Sequence, residues 1–383
     1  MPQFHPESPN VSPASLARLR FVADFRKQMH VGLSKGNRAL YDLHFAAAPT
    51  PEPRPVRRAK LRANMEGQPF YQGWSSMLRA SQDLMWRLVG NAVDAEHDRL
   101  AARLHEIEST KRGAVTVNPA LARPAYMAAD VHRMPGGYMA DSDEADLRAG
   151  ALYDLGGAVY QFGVGNSAGG LLNDSRGRTL VAHLASRFPA FTPTRILDMG
   201  CGVGHNTVPL AASFPAAEVV GIDLGAAQLR YAHLRAEGLG VRVHFCQDNA
   251  EHTQFEDGRF DLVVSQIILH ETSPAAMVAI IKESRRLLRP GGVVVHLEVP
   301  LRAENGDEFY NMMMLWEEYY NAEPNISGVM DADLAGIAQA AGFGDVKLGY
   351  QSIPAAGARS SAYSEAAGQK AFGQWLVLSG VAI

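Results

Sequence analysis

Residues 195–210 read RILDMGCGVGHNTVPL: an apolar run, a turn carrying glycines at 200, 202 and 204, then the start of a helix. Glycine is needed where the backbone turns sharply and where a ligand approaches so closely that a Cβ would clash. The next apolar run, EVVGID, ends on Asp223. In a doubly wound parallel sheet that carboxylate stands at the carboxyl edge beside the glycine turn, where it can accept both hydroxyls of a ribose. Alone it could equally cap the helix that begins at Gly225. The turn and the acid occurring together favour ribose binding. A nicotinamide-binding GxGxxG turn would place its third glycine at 205, where this chain has His205.

The rest of the second half alternates strands and helices. Strands are expected at 195–199, 218–223, 242–247, 260–265, 293–299, 345–351 and 374–381. The first five are short apolar runs separated by helices, as in a buried parallel sheet. The last two are joined by a loop, so the final strand could pair antiparallel. The first half reads as mostly helical. Helices are expected at 15–32, 74–107 with a break near Gly90 or Asp94, and 142–162. Residues 1–15 read as a loose tail, and the basic stretch 54–62 (RPVRRAKLR) as a solvated linker. The Gly-rich stretch 163–170 is better read as a helix-ending loop than as a phosphate cradle, because it follows no strand and lacks a P-loop lysine. The fold class is therefore α/β: a doubly wound, seven-stranded, mostly parallel sheet (161–383) preceded by a helical region (1–160).

With 36 basic and 40 acidic residues the net charge is −4, which gives no global attraction to a phosphate backbone and argues against nucleic acid as a partner. The two cysteines, Cys201 and Cys246, fit a reducing, cytoplasmic setting. No apolar run is long enough to span a membrane.

The GxGxG turn led by Asp198 resembles motif I of class I methyltransferases. The resemblance covers roughly residues 190–300 and extends to the ending RLLRPGGVVV. It implies S-adenosylmethionine as cofactor, held by Asp198, Gly200, Cys201, Gly202, Gly204, Asp223 and Leu224. The stretch NAEHTQFEDGRFDLV is similar to the family's adenine-binding segment, with Asn249 where an Asp is usual. Asp248, Asn249 and Ala250 are therefore assigned to the adenine, and Ser265 and Gln266 to the cofactor's border.

Past the fourth of these strands, SQIILHETSPAAMVAIIKESRRLLRPGGVVVHLE resembles small-molecule O-methyltransferases of the caffeate type, while the cofactor motifs are similar to quinone-biosynthesis methyltransferases. The first resemblance implies His270 as general base and Glu298 as its flanking carboxylate. Two departures stand out. Glu271 replaces an Asp, and Gly328 or Val329 stands where a further Glu is expected. The 309–325 segment, with three Met, Trp316, Tyr319 and Tyr320, is read as an acceptor lid. His296 and Glu298 share a strand face with His270 in reach, but no metal is expected. Tyr153 and Tyr160 are candidates to close over the cofactor, and VHRMPGGYM (131–139) has no assigned role. The expected activity is methyl transfer to the oxygen of a small, fairly apolar or aromatic acceptor. The helical region is expected to cover that acceptor and could support a homodimer. Two alternatives remain: a C- or N-methyltransferase acting by positioning, and a catalytically silent cofactor-binding subunit.

Overall fold

The computed structural model describes residues 5–46, 51–160, 174–301, 307–355, 358–365 and 373–383. Among them one nine-stranded sheet forms from β1 (Ala114–Thr116), β2 (Arg195–Met199), β3 (Glu218–Asp223), β4 (His244–Gln247), β5 (Phe260–Gln266), β6 (Leu288–Glu298), β7 (Phe343–Ser352), β8 (Tyr363–Ser364) and β9 (Gln374–Ala382). The order is β1-β4-β3-β2-β5-β6-β9-β7-β8. β1 to β6 pair parallel, whereas β9 runs antiparallel to both of its neighbours, β6 and β7. The central strands are buried on both faces, which is why they read as near-continuous apolar runs rather than as alternation.

Strand order reverses at β2, which has β3 on one side and β5 on the other. Connections leave these strands in opposite directions, so a crevice opens at their carboxyl ends. The sheet has nine strands rather than the expected seven. The additions are the three-residue β1 and the two-residue β8, too short to leave a periodic signal. Gly113 admits β1: a Cβ there would sit 2.0 Å from the carbonyl oxygen of Val243.

Both faces of the sheet are covered. Met277, Ile280 and Ile281 of the Pro274–Leu287 helix pack on one side. That helix announces itself in sequence, because Ser273 caps it by accepting from Ala276 N at 3.2 Å and Pro274 opens its first turn. Leu229, Ala232 and Ala236 of the Ala226–Gly238 helix pack on the other side.

The helical region does not stand apart. Leu19, Val22, Met85, Val89, Leu152 and Leu155 form a core that also takes in Tyr231 and Leu234 of the Ala226–Gly238 helix. A second core joins Met29, Met65, Trp74 and Leu78 to Met312 and Trp316 of the Glu308–Tyr320 helix. The long helical stretch is divided, near Asp94, into Pro69–Asp94 and His97–Ile107. Two expectations fail here. The basic stretch is a helix, Arg54–Glu66, whose buried Arg58 donates to both oxygens of Asp331 at 3.0 and 2.7 Å. Leu61 and Met65 give it a face to bury, and Arg57, Arg58, Lys60 and Arg62 each pair with a carboxylate. Nor is the described part of the 1–15 stretch loose: His5 is buried and lies 2.8 Å from Asp154, and Glu7 pairs with Arg103 at 2.8 Å. The 163–170 stretch lies outside the described residues.

Candidate active site

A cavity of about 590 Å³ lies over the carboxyl ends of the central strands. One wall comes from the loops after β2, β3, β4, β5 and β6. The other comes from Trp86, His132, Tyr138, Tyr153 and Tyr160 of the helical region and from the Glu308–Tyr320 helix.

At one end sits the glycine turn. Gly200, Gly202 and Gly204 have φ of 70°, 51° and 80°, the left-handed region that favours glycine. Asp223 holds the turn, its two oxygens accepting from Gly202 N and Gly225 N at 2.9 Å each. So the carboxylate serves the helix start as well as the turn, and it still lines the cavity beside Leu224. Burial pushes its pKa above the usual carboxylate range, against the backbone hydrogen bonds it accepts. Gly200, Gly202, Asp248, Asn249, Ala250 and Gln266 also line the cavity. Asp248 accepts from Asn249 N and Gln254 N at 2.8 and 3.0 Å, and Asn249 Oδ1 accepts from Glu251 N at 2.9 Å. Gln266, its amide oriented by its partners, accepts from Arg176 Nη1 and Nε at 2.7 and 3.0 Å.

Three of the expected cofactor residues lie behind this wall. Asp198 is fully buried and accepts from Thr207 Oγ1 at 2.7 Å; burial raises its pKa to about 7. Cys201 packs on Gly221 of β3, and Gly204 on Phe245 of β4. Ser265 is also off the wall, bonded at 2.8 Å to His296, whose pKa burial lowers to about 4. His296 thus belongs to the core.

At the other end stands His270. β5 ends in a turn where Ile267 takes φ of 59°, an outlier for a β-branched residue. The turn brings His270 back against β6, where its Nδ1 lies 2.5 Å from Glu298 Oε2. The other oxygen of Glu298 accepts from Leu269 N at 2.9 Å, so the carboxylate is fixed at both ends. Burial opposes a charged imidazole, but Glu298, then Glu271 and Glu323, outweigh it and raise the His270 pKa to about 9. Glu271 Oε1 and Glu323 Oε2 lie 3.9 and 4.0 Å from His270 Nε2. Glu323 supplies a carboxylate close to where Gly328 or Val329 failed to, a few residues earlier in the chain. The 309–325 segment acts on both sides. Its helix buries Phe309, Met312 and Trp316 against the helical region and turns Tyr310, Met314 and Glu317 to the cavity.

Sequence reading missed His132, Tyr138, Glu317, Glu323 and Arg176. The one available signal was the turn-rich VHRMPGGYM, which marks an ordered loop without saying what it faces.

Residues 196–292 match the methyltransferase domain family. The chain is 38% identical over 108 residues to a demethylmenaquinone methyltransferase of Thermus thermophilus, covering 28% of this chain and 48% of that one. It is 32% identical over 116 residues to a ubiquinone biosynthesis O-methyltransferase of Pectobacterium carotovorum, covering 30% and 46%. The chain thus spans about half the length of these curated relatives. Among solved structures, phosphoethanolamine N-methyltransferase 2 of Haemonchus contortus, in complex with S-adenosyl-L-methionine, aligns with a TM-score of 0.39 at 20% identity over 60% of this chain and 57% of that one. The second half of the chain carries a class I methyltransferase domain. Its cofactor is S-adenosylmethionine. The cavity fits that group: Gln228 Oε1 is buried on its wall with no partner, and a Cβ at Gly202 would intrude to 3.4 Å from that same oxygen.

Proposed function

We propose that the chain transfers a methyl group to an oxygen of a small, fairly apolar or aromatic acceptor, with His270 as general base and Glu298 orienting it. The carrying observation is the 2.5 Å His270–Glu298 pair, whose imidazole lines the cavity that also holds the glycine turn. Asp223, Asn249, Ala250 and the Gly200–Gly202 backbone would hold S-adenosylmethionine, with Asp198, Cys201 and Gly204 shaping the turn from behind. When bound, that group supplies a methyl on a sulfonium, already activated for in-line displacement.

The chain's own residues then have two tasks. The cavity must hold the acceptor in line, for which Tyr310, Met314 and Ile326 supply an apolar wall. His270 must take the acceptor's proton. With Glu298 on Nδ1, the proton-bearing nitrogen is Nδ1 and the free lone pair is on Nε2. An imidazole of pKa about 9 is close in basicity to a phenol, which favours transfer between them. The relatives' names, which mention ubiquinone biosynthesis and demethylmenaquinone, support a ring-bearing acceptor.

In this reading residues 1–160 cover the acceptor and residues 161–383 form the methyltransferase domain, working in the cytoplasm. Exposed Phe21, Leu43, Phe70 and Met77 on the helical region support a homodimer. Titration calorimetry with S-adenosylmethionine, followed by a radiolabelled-methyl screen over phenols, quinols and keto acids, tests the function. Absence of cofactor binding by folded protein overturns it. A methyl found on carbon or nitrogen overturns the O-transfer, and a His270→Ala variant with full turnover removes the base.

A further inference from the structure

β1 pairs parallel with β4, Ala114 to Thr116 against His244 to Cys246, so the chain leaving β1 emerges at the same edge of the sheet as the carboxyl ends of β4 and β3. That is the edge at which the cofactor crevice opens. The 117–140 loop that follows β1 therefore starts beside the nucleoside end of the cavity, although it belongs to the helical region. Its path is fixed from both halves of the chain. Asn118 N donates to Gln247 Oε1 at 2.9 Å, and Gln247 Nε2 donates in turn to the Leu224 carbonyl at 2.8 Å. Farther along, Met134 is buried in the core that holds Met85 and Leu152, and Gln82 Nε2 and Trp86 Nε1 donate to the His132 carbonyl at 2.8 and 2.6 Å.

Between these anchors the loop makes a short helical turn, Ala125–Ala128. Arg123 Nε and Nη2 donate to the Met127 carbonyl at 3.1 and 2.6 Å and hold that turn together. The Tyr126 hydroxyl donates to Glu251 Oε1 at 2.7 Å, and Glu251 N donates to Asn249 Oδ1 at 2.9 Å. Tyr126 is thereby tied, through one residue, to the segment assigned to the adenine. Tyr126 and Met127 both line the cavity, as do Leu224, Asp248, Asn249 and Ala250. The far end of the loop crosses to the start of the Ala226–Gly238 helix. A Cβ at Gly225 would sit 2.4 Å from the Tyr138 carbonyl oxygen, and Gly225 N donates to Asp223 Oδ1 at 2.9 Å. The loop thus runs from β4, past the adenine segment, to the residue that Asp223 holds.

We propose that residues 117–140 cap the nucleoside end of the cofactor crevice, with Tyr126 and Met127 forming the outer wall of the adenine pocket. This rests on the placement of S-adenosylmethionine given above. Leu224 and Ala250 come from the sheet's own loops, after β3 and β4, and give a purine apolar contact from the catalytic half. Tyr126 and Met127 come from the covering loop and give it contact from the helical half. An aromatic ring and a thioether suit that task, because a purine presents a flat π face and methionine adapts to its outline. The bond to Glu251 sets where the Tyr126 ring stands, and the ring itself supplies the contact. The helical region then serves both ligands, since the same loop continues to His132 at the acceptor end of the cavity.

Calorimetric titration of the full-length protein with S-adenosylhomocysteine tests this without turnover. Tyr126→Ala removes the ring and its bond to Glu251, and the affinity is expected to fall about tenfold or more. Tyr126→Phe keeps the ring without the bond, and is expected to return to within about threefold of wild type. Alanine at wild-type affinity overturns the cap. Phenylalanine as weak as alanine overturns the wall, because the Glu251 bond alone would then carry the effect. An alanine variant also loosens the loop, so NMR of methyl-labelled methionine gives a second reading in the wild-type protein, with the Met127 signal assigned by Met127→Leu. S-adenosylhomocysteine and adenosine are each expected to move that signal, and homocysteine is not. A Met127 signal that neither adenosine nor S-adenosylhomocysteine moves overturns the proposal. Wild-type protein that binds no S-adenosylhomocysteine overturns the cofactor placement and the cap with it, whereas wild-type binding with an unmoved Met127 signal overturns the cap alone.

Discussion

Glu298 Oε2 stands 2.5 Å from His270 Nδ1, while its Oε1 is tied to the backbone N–H of Leu269. The carboxylate cannot turn away, so it bears permanently on the imidazole. Its effect, with that of Glu271 and Glu323, overcomes burial and raises the pKa to about 9. A base must be deprotonated to act, so methyl transfer should climb with pH with its midpoint near 9 rather than near the ordinary histidine value of about 6.5. Glu298→Gln keeps a hydrogen-bond acceptor but removes the charge, and should move the midpoint down by about one unit or more. The pH dependence of kcat in both proteins measures this. The same shift affects stability. Because the folded-state pKa is raised, the charged imidazole contributes stability that is full below pH of about 6.5 and is lost as pH rises through about 9.

Asp223 ties together the loop and the helix that follow two neighbouring strands. Asp223→Asn leaves one oxygen where two now accept backbone N–H groups. The Nδ2 group then faces a donor, either Gly202 N or Gly225 N. The turn should loosen, and any ribose contact should weaken with it. S-adenosylmethionine affinity is expected to fall at least about tenfold, an amount in line with losing one charge-assisted hydrogen bond. Calorimetry on wild type and variant checks it, with circular dichroism to confirm that the fold survives.

The catalytic half was legible because its signals are local. A glycine turn between an apolar strand and a helix and an acid ending the next strand each act within a few residues. His270 and Glu298, by contrast, come from the resemblance to caffeate-type O-methyltransferases and not from any local pattern. What could not be read are the contacts made across long separations. Glu323 reaches His132 from the far end of the helix after β6, and Asp154 reaches His5 from 149 residues away. No periodicity marks such pairs. The basic stretch at 54–62 misled for a related reason. Its positive charges look like a solvated run until Glu308 and Asp331 arrive from far along the chain.

Arg58 and Asp331 clamp the helical region to the catalytic half. The guanidinium is nearly buried, with its side chain 4% exposed, while Asp331 is 31% exposed. Asp331→Ala strands the cation without its bidentate partner. A fully buried pair broken this way would cost about 3–5 kcal/mol. The partial exposure of Asp331 lets water screen it, so a smaller loss of about 1–3 kcal/mol is expected. Urea unfolding followed by tryptophan fluorescence reads this directly, since Trp74 and Trp316 lie in the core that the two halves share.

Asp154 joins three separate parts of the chain beneath the glycine turn. Its Oδ2 lies 2.8 Å from His5 Nε2 and accepts from the Tyr231 hydroxyl at 2.9 Å, and its Oδ1 lies 2.7 Å from His205 Nε2. Burial opposes the carboxylate, but His205 and His5 outweigh it and hold the pKa well below the usual range. For a depressed carboxylate the stability is full above the unfolded value of about 4 and is lost as pH falls through the folded pKa. Asp154→Asn should therefore destabilise the protein by about 2–4 kcal/mol at neutral pH, because an amide nitrogen now meets a donor and the buried partners lose a charged acceptor. The deficit should shrink as the pH falls through the range in which Asp154 of the wild type takes up its proton. His205 follows the glycine turn directly, so cofactor affinity should weaken in the same variant. Chemical unfolding across pH, paired with calorimetry at neutral pH, separates the two effects. A variant that unfolds early yet binds S-adenosylmethionine at wild-type strength would show that the three-part junction supports the fold without shaping the turn.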